Sequence, residues 1–245
     1  MMLQGKRVLI TGGGSGAGAD LARGFAGAGA EVVIAGRRED ALRRVAQPLG
    51  AAWVQADVTD EGSVAAMFRA AGPCDIVIAN AGAAESGVMA KTTLAQWNAM
   101  IAVNLTGVFL TFREALGQFR GEGRLIAVAS TAALKGYAKV APYAAAKHGV
   151  VGLVRSLALE VARKGITVNA ICPGFLDTPM TDHSVRVIAE KTGKSLAEAR
   201  AALEELSPQG RLYQPSEVTA AALYLASGAA GGVNGACLSI SGGEV

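Results

Sequence analysis

A tyrosine and a lysine stand four residues apart in the stretch YAAAKHG, Tyr143 and Lys147, among small apolar side chains. On a helix that spacing stacks the phenol and the ammonium on one face. An ammonium beside a phenol favours the phenolate and lowers a pKa whose ordinary value is about 10, which suits the pair to proton transfer near neutral pH. Taken alone, the motif fits a surface helix with an incidental Tyr/Lys pair equally well. A second stretch, TGGGSGAG at 11–18, follows the apolar run RVLI. Glycines let a turn approach a pyrophosphate with no Cβ in the way, and a following helix offers unpaired N–H groups and the positive end of its dipole. Strand, glycine loop, helix and second strand fall within about 30 residues, the context that separates a dinucleotide-binding loop from an ordinary turn.

The end of the second strand selects the dinucleotide. An acid there accepts from the adenosine 2′-OH and repels a 2′-phosphate. The sequence reads AGRRED, with Gly36 where the acid would sit and Arg37 and Arg38 after it. Guanidinium groups suit a phosphate, which predicts NADP(H), with NAD(H) as the alternative. The same residues also fit the start of a solvated helix carrying Glu39/Arg43 and Asp40/Arg44 pairs at i,i+4. The two readings are compatible, because those pairs leave Arg37 and Arg38 free.

These residues need a scaffold that brings strand ends together. Short β-branched runs at 7–10, 31–35, 52–56, 75–79, 123–129, 166–171 and 236–240 alternate with Ala-rich helical stretches. That alternation predicts an α/β fold, a doubly wound seven-stranded parallel sheet between two helical layers, in a single domain spanning 1–245. The polar segment at about 175–212 departs from the pattern. Its RVIAEKTGKSLAEARAALEEL predicts two short helices, an insertion beside strand ends of the kind that forms a substrate lid.

Composition narrows the function classes. A net charge of +3 and 5% aromatic residues, with Lys and Arg scattered, give neither a phosphate-tracking stripe nor stacking platforms for nucleic acid. Cys74, Cys172 and Cys237 lie far apart without metal-ligand spacing, so no metal site is expected, and their odd number fits a reducing compartment. The apolar run after Lys6 and Arg7 is too short for a signal peptide, and no stretch reads as a membrane span, so the expected location is the cytoplasm.

The ordered set TGGGSGAG, NAG at 80–82, Asn104 in VNLTG, Ser130 in VAST, YAAAK and PGFLDTP at 173–179 resembles the short-chain dehydrogenase/reductase family along the whole chain. Ser130 precedes Tyr143 by thirteen residues, as in that family. The resemblance implies a Rossmann fold and interconversion of a ketone and a secondary alcohol by hydride transfer. It makes Tyr143 the general acid or base, and has Lys147 lower the tyrosine pKa and hold the nicotinamide ribose. Ser130 would bind the substrate oxygen and Asn104 would position a relay water. For the cofactor it implies Gly12, Gly14, Ser15, Gly16 and Gly18 at the pyrophosphate and Asp57 and Val58 at the adenine. Asn80, Ala81 and Gly82 would form the loop after strand four, and Pro173, Gly174, Leu176 and Thr178 the nicotinamide side. Residue 79 is Ala where many members carry Asn, and residue 241 is Ser where many carry Asp.

Local wording is similar to both 3-hydroxybutyrate dehydrogenases and polyketide ketoreductases. The first branch needs polar groups for a small carboxylate where this chain has Ala84, Ala132 and Val140, and an apolar pocket holds an unpaired carboxylate poorly. The expectation is therefore NADPH-linked reduction of a 3-oxoacyl-type or other hydrophobic ketone, free or as an acyl thioester, lined by Ala84, Ala132, Ala133, Leu134, Val140 and Phe175. Lys135 and Lys139 are available to a carrier protein or a coenzyme A phosphate. The alternatives are an NAD-linked secondary alcohol or 3-hydroxyacid dehydrogenase and, in another class, a dinucleotide-binding sensor without turnover. His148 and His183 read as surface or packing residues. The Ala-rich helices around 93–117 and 142–164, with little charge along much of 137–162, predict pairing across a two-fold axis into the homotetramer common in the family.

Overall fold

The computed structural model describes residues 2–245. Seven strands form one sheet: β1 (Arg7–Thr11), β2 (Glu31–Gly36), β3 (Ala52–Gln55), β4 (Ile76–Ala79), β5 (Gly123–Val128), β6 (Ile166–Pro173) and β7 (Cys237–Ile240). Their order is β3-β2-β1-β4-β5-β6-β7, and every pairing is parallel. All expected strands are present, with β6 running on to Pro173.

Alternation along each strand builds two cores, since successive side chains point to opposite faces. Leu9, Val33, Val77, Leu125 and Val168 face one side. They pack with Phe68 of α3 (Glu61–Ala71), Phe112 of α5 (Gly107–Gln118) and Val154 of α6 (Ala141–Val161). Val8, Ile10, Ile34, Ile78 and Ile126 face the other side, against Phe25 of α1 (Gly16–Gly27), Leu42 of α2 (Glu39–Leu49) and Leu225 of α9 (Pro215–Ala226). Each such buried side chain contributes about 1.5–3 kcal/mol. The order reverses between β1 and β4, and the crevice outside the carboxyl ends of those strands is where open α/β sheets bind ligands.

The expected helix over 93–117 is α4 (Leu94–Ile101) joined to α5 through a π-helical stretch, Ala102–Thr106. This corrects one expectation: Leu94–Gln118, 25 residues containing an 18-residue window of mean hydropathy 1.3, is long and apolar enough to cross a membrane. Its Val108, Leu110, Phe112 and Ala115 instead fill the sheet core, so the apolarity belongs to packing. In the 175–212 segment the first helix, α7 (Pro179–Thr192), starts earlier than the sequence suggested, because Pro179 occupies the first helical position, where its fixed φ fits and its missing N–H costs nothing. With α8 (Leu196–Glu204) it encloses a small core of Val185, Ala199, Leu203 and Leu212, against which Phe175 packs.

Candidate active site

Tyr143 lies in the first turn of α6 and Lys147 one turn on, with the ammonium 5.6 Å from the ring centroid. Ser130 ends the loop after β5, and its Oγ accepts from the Ala132 N–H at 3.1 Å. The Ser130 side chain also engages the Tyr143 phenol, an interaction that pulls the phenol pKa down. Burial is the larger influence and holds that pKa above its ordinary value. The expected lowering by Lys147 is therefore not seen. Lys147 donates to the Val128 carbonyl at 2.9 Å, and burial pushes its own pKa down to about 8.

Asn104 is fully buried in the π-helical stretch. Its Nδ2 donates to the carbonyls of Ala83 at 2.9 Å and Met100 at 3.1 Å, and its Oδ1 accepts from the Ala83 N–H at 3.3 Å. The side chain thus clamps the loop after β4. A Cβ added to Gly82 would come 2.9 Å from Asn104 Oδ1 and 3.7 Å from Lys147 Nζ, which locates both groups beside that loop.

The glycine loop lies against the same strand end. Gly12 has φ 70, and a Cβ there would meet the Ala81 backbone at 2.8 Å; one on Gly18 would stand 2.2 Å from the Gly12 carbonyl. Neither approach tolerates a side chain. Asn80 fixes the arrangement by donating from Nδ2 to Thr11 O at 2.9 Å, while Thr11 Oγ1 accepts the N–H groups of Asn80 and Ala81 at 3.1 Å each. Ser15 caps α1 without a side-chain hydrogen bond, so the first-turn N–H groups remain available to an anion. Gly14 packs on Ala41, and Thr178 lies across from Gly16, with 3.5 Å from its Cβ to an added Cβ. Thr178 likewise makes no capping bond. Pro173 ends β6, Gly174 abuts Tyr213, and the Leu176 carbonyl accepts from Thr181 Oγ1 at 2.5 Å.

At the adenosine end, Arg37 and Arg38 are exposed and, among the described residues, neither pairs with an acid, while Glu39–Arg43 (2.6 Å) and Asp40–Arg44 (2.8 Å) form as expected. Arg38 reaches Ser15 Oγ at 3.3 Å. A Cβ on Gly36 would meet only Leu42 at 3.6 Å, so the missing acid is a chemical choice and not a steric one. Asp57 accepts the N–H and hydroxyl of Thr59, which hold its carboxyl below the usual range, and Val58 turns its side chain into the core against Gly107. A cradle that a Cβ would fill, uncapped N–H groups at α1 and unpaired arginines at β2 together fit a phosphorylated dinucleotide.

Several expected lining residues also take part in core packing. Ala133 is in the sheet core, Leu134 packs against it, and Phe175 covers the α7–α8 core. Lys135 is not free for a carrier: it pairs with the nearly buried Glu244 at 2.9 Å. Glu244 also accepts from Tyr137 Oη at 2.5 Å, and burial, aided by that carboxylate, raises the Tyr137 pKa. Sequence reasoning missed Tyr137 and Glu244, which are 107 positions apart, and no local spacing signals their pairing. His148 and His183 are exposed, the former with Nδ1 2.9 Å from the Ala144 carbonyl.

Residues 12–244 match the family model described as enoyl-(acyl carrier protein) reductase. The chain is 41% identical to cis-4-hydroxycyclohexanecarboxylate dehydrogenase of Sinomonas cyclohexanicum, over 96% of this chain and 94% of that protein. It is 37% identical to D-beta-hydroxybutyrate dehydrogenase of Cupriavidus necator, over 100% and 99%. A crystal structure of a variant of actinorhodin polyketide ketoreductase with NADPH superposes with a TM-score of 0.92 at 36% identity, covering 98% of this chain and 97% of that one. This chain belongs to the short-chain dehydrogenase/reductase family and is an oxidoreductase of the ketone/alcohol type.

Proposed function

We propose that the protein reduces a hydrophobic or 3-oxoacyl-type ketone with NADPH, using Tyr143 as the proton donor. The observation that carries this reading is the convergence of Ser130, Tyr143 and Lys147 beside the Gly12–Ala81 cradle, with unpaired Arg37 and Arg38 at its far end. When bound, NADPH supplies a hydride to the carbonyl carbon. Ser130 and Tyr143 orient the ketone oxygen by hydrogen bonding, and the Tyr143 phenol passes its proton to that oxygen as negative charge builds on it. Lys147 sets the charge behind the phenol and offers its N–H groups to the nicotinamide ribose. Asn104 holds the Ala83 loop, and Leu176 and Thr178 would hold the carboxamide.

The similarity to D-beta-hydroxybutyrate dehydrogenase favours a small hydroxy acid instead. Ala84, Ala132 and Val140 supply no partner for a carboxylate beside the reacting carbon, which weighs against it. We assign α7 and α8 as a lid, place the protein in the cytoplasm on its three unbridged cysteines, and infer a homotetramer from exposed Phe109 on α5 and Leu159 on α6. Tyr143→Phe tests the chemistry, since it removes one hydroxyl and little volume. Turnover should fall by about 10²–10⁴-fold, with NADPH affinity and melting temperature retained. Near-normal turnover in a ketone-reduction assay would remove Tyr143 from the role of acid.

A further inference from the structure

A cavity of about 540 Å³ opens between the 86–92 segment, the turn before α6 and the second half of α7. Lys91, Lys139 and Lys191 line it from those three elements, and no carboxylate does. Among the described residues none of the three forms an ion pair. Lys139 is the one described non-glycine residue with positive φ, at 67, and its carbonyl accepts the Gly87 N–H at 2.7 Å. That bond pins the turn bearing Lys139 to the opposite wall. Three like charges around one cleft focus a positive potential that only an anion relieves.

The cleft also has a direction. A smaller adjoining cavity shares Ser86, Gly87, Thr92 and Gln96 with it and extends to Met100 and Pro142. Pro142 precedes Tyr143, and the Met100 carbonyl takes the Asn104 amide. Glu85 lines the smaller cavity, so an anion is favoured beyond it and not within it. The two cavities thus run from the residue beside Tyr143 to the three lysines, a path that the remote end of a ketone held at Tyr143 would follow.

We propose that this cleft is an anion subsite for a phosphate-bearing tail on the ketone substrate, an inference that rests on the ketone-reduction reading above. Phosphate fits better than a carboxylate. Three lysines supply separate mobile point charges in place of a planar fork, and a phosphate ester offers up to two charges and three acceptor oxygens. Lys191 lies on α7, so an occupied cleft also draws that helix toward the 86–92 segment.

Two measurements test the subsite, using wild type and Lys91→Gln/Lys139→Asn/Lys191→Gln, with Asn chosen at 139 because it accepts a left-handed backbone. The first is calorimetric binding of coenzyme A to protein saturated with NADP⁺, which keeps the Arg37–Arg38 region occupied. Binding should weaken about ten-fold or more in the variant and on raising salt, with melting temperature unchanged. The second compares kcat/KM for acetoacetyl-coenzyme A, acetoacetyl-4′-phosphopantetheine and acetoacetyl-pantetheine. The phosphorylated esters should lead in wild type by about ten-fold and lose that lead in the variant, while pantetheine ester turnover stays constant. An advantage confined to coenzyme A would assign the lysines to its nucleotide phosphates; one shared by both would assign them to the 4′-phosphate. Absent coenzyme A binding, or binding and ester ratios untouched by the substitutions, would overturn the subsite. Failure to reduce any ketone would instead overturn the ketone reading, and the binding arm would still decide the subsite.

Discussion

Burial acts in opposite directions on the two groups at the centre of the site. It favours the neutral form of each, raising the Tyr143 phenol and lowering the Lys147 ammonium to about 8. As pH rises, the lysine is therefore the first of the pair to lose its proton. Below about pH 8 both groups are protonated, the state that the proposed ketone reduction requires. Above it the charge behind the phenol is lost. Because kcat/KM reports the free enzyme, kcat/KM for NADPH in the reductive direction should decline above about pH 8 with a slope near one. A steady-state pH profile checks this, and a plateau extending to about pH 10 would contradict the assignment of Lys147.

The elements hold these residues through backbone contacts more than through side-chain bulk. Asn80 is the link between the ends of β1 and β4, since its amide satisfies Thr11 O and approaches Gly12 O at 3.4 Å. Asn80→Ala leaves a partly buried carbonyl without its donor, at about 1–3 kcal/mol. Thermal denaturation should show that loss, and the KM for the dinucleotide should rise by about ten-fold as the glycine loop loosens; an unchanged KM would show the loop to be self-supporting. The strands were legible because β-branched runs bounded by glycine carry their own signal, and so were the free Arg37 and Arg38, whose neighbours' i,i+4 pairs are local. What escaped depends on distance or on backbone detail. The Tyr137–Glu244–Lys135 cluster joins the middle of the chain to its C-terminal segment, the left-handed turn at Lys139 has no glycine to announce it, and the π stretch at 102–106 differs from an α-helix only in its hydrogen-bond register. The inward direction of Ala133 and Leu134 was hidden because residues after a strand follow no fixed alternation.

At the scale of the whole molecule, exposed apolar groups point to self-association. Leu159 on α6 is 83% exposed and Phe109 on α5 42%, on helices whose other faces already fill the core. Burying such groups between copies favours assembly. Sedimentation should give a tetramer at micromolar concentration, reduced to smaller species by Leu159→Glu; a monomer in wild type would exclude it. The seven-stranded sheet brings the Gly12–Gly18 loop to the carboxyl end of β1, next to the loop after β4 that Gly82 shares with Asn104 and Lys147. The proposed function is NADPH-linked ketone reduction. The most direct test is the initial rate of reduction of an uncharged 3-oxoester with NADPH against NADH at low salt, in wild type and in Gly36→Asp/Arg37→Ala. Charge-assisted hydrogen bonds at β2 contribute about 1.5–3 kcal/mol, so wild type should prefer NADPH by about ten- to a hundred-fold, and the double variant should reverse the preference. Equal rates with both dinucleotides in wild type, or no reduction with either, would contradict it.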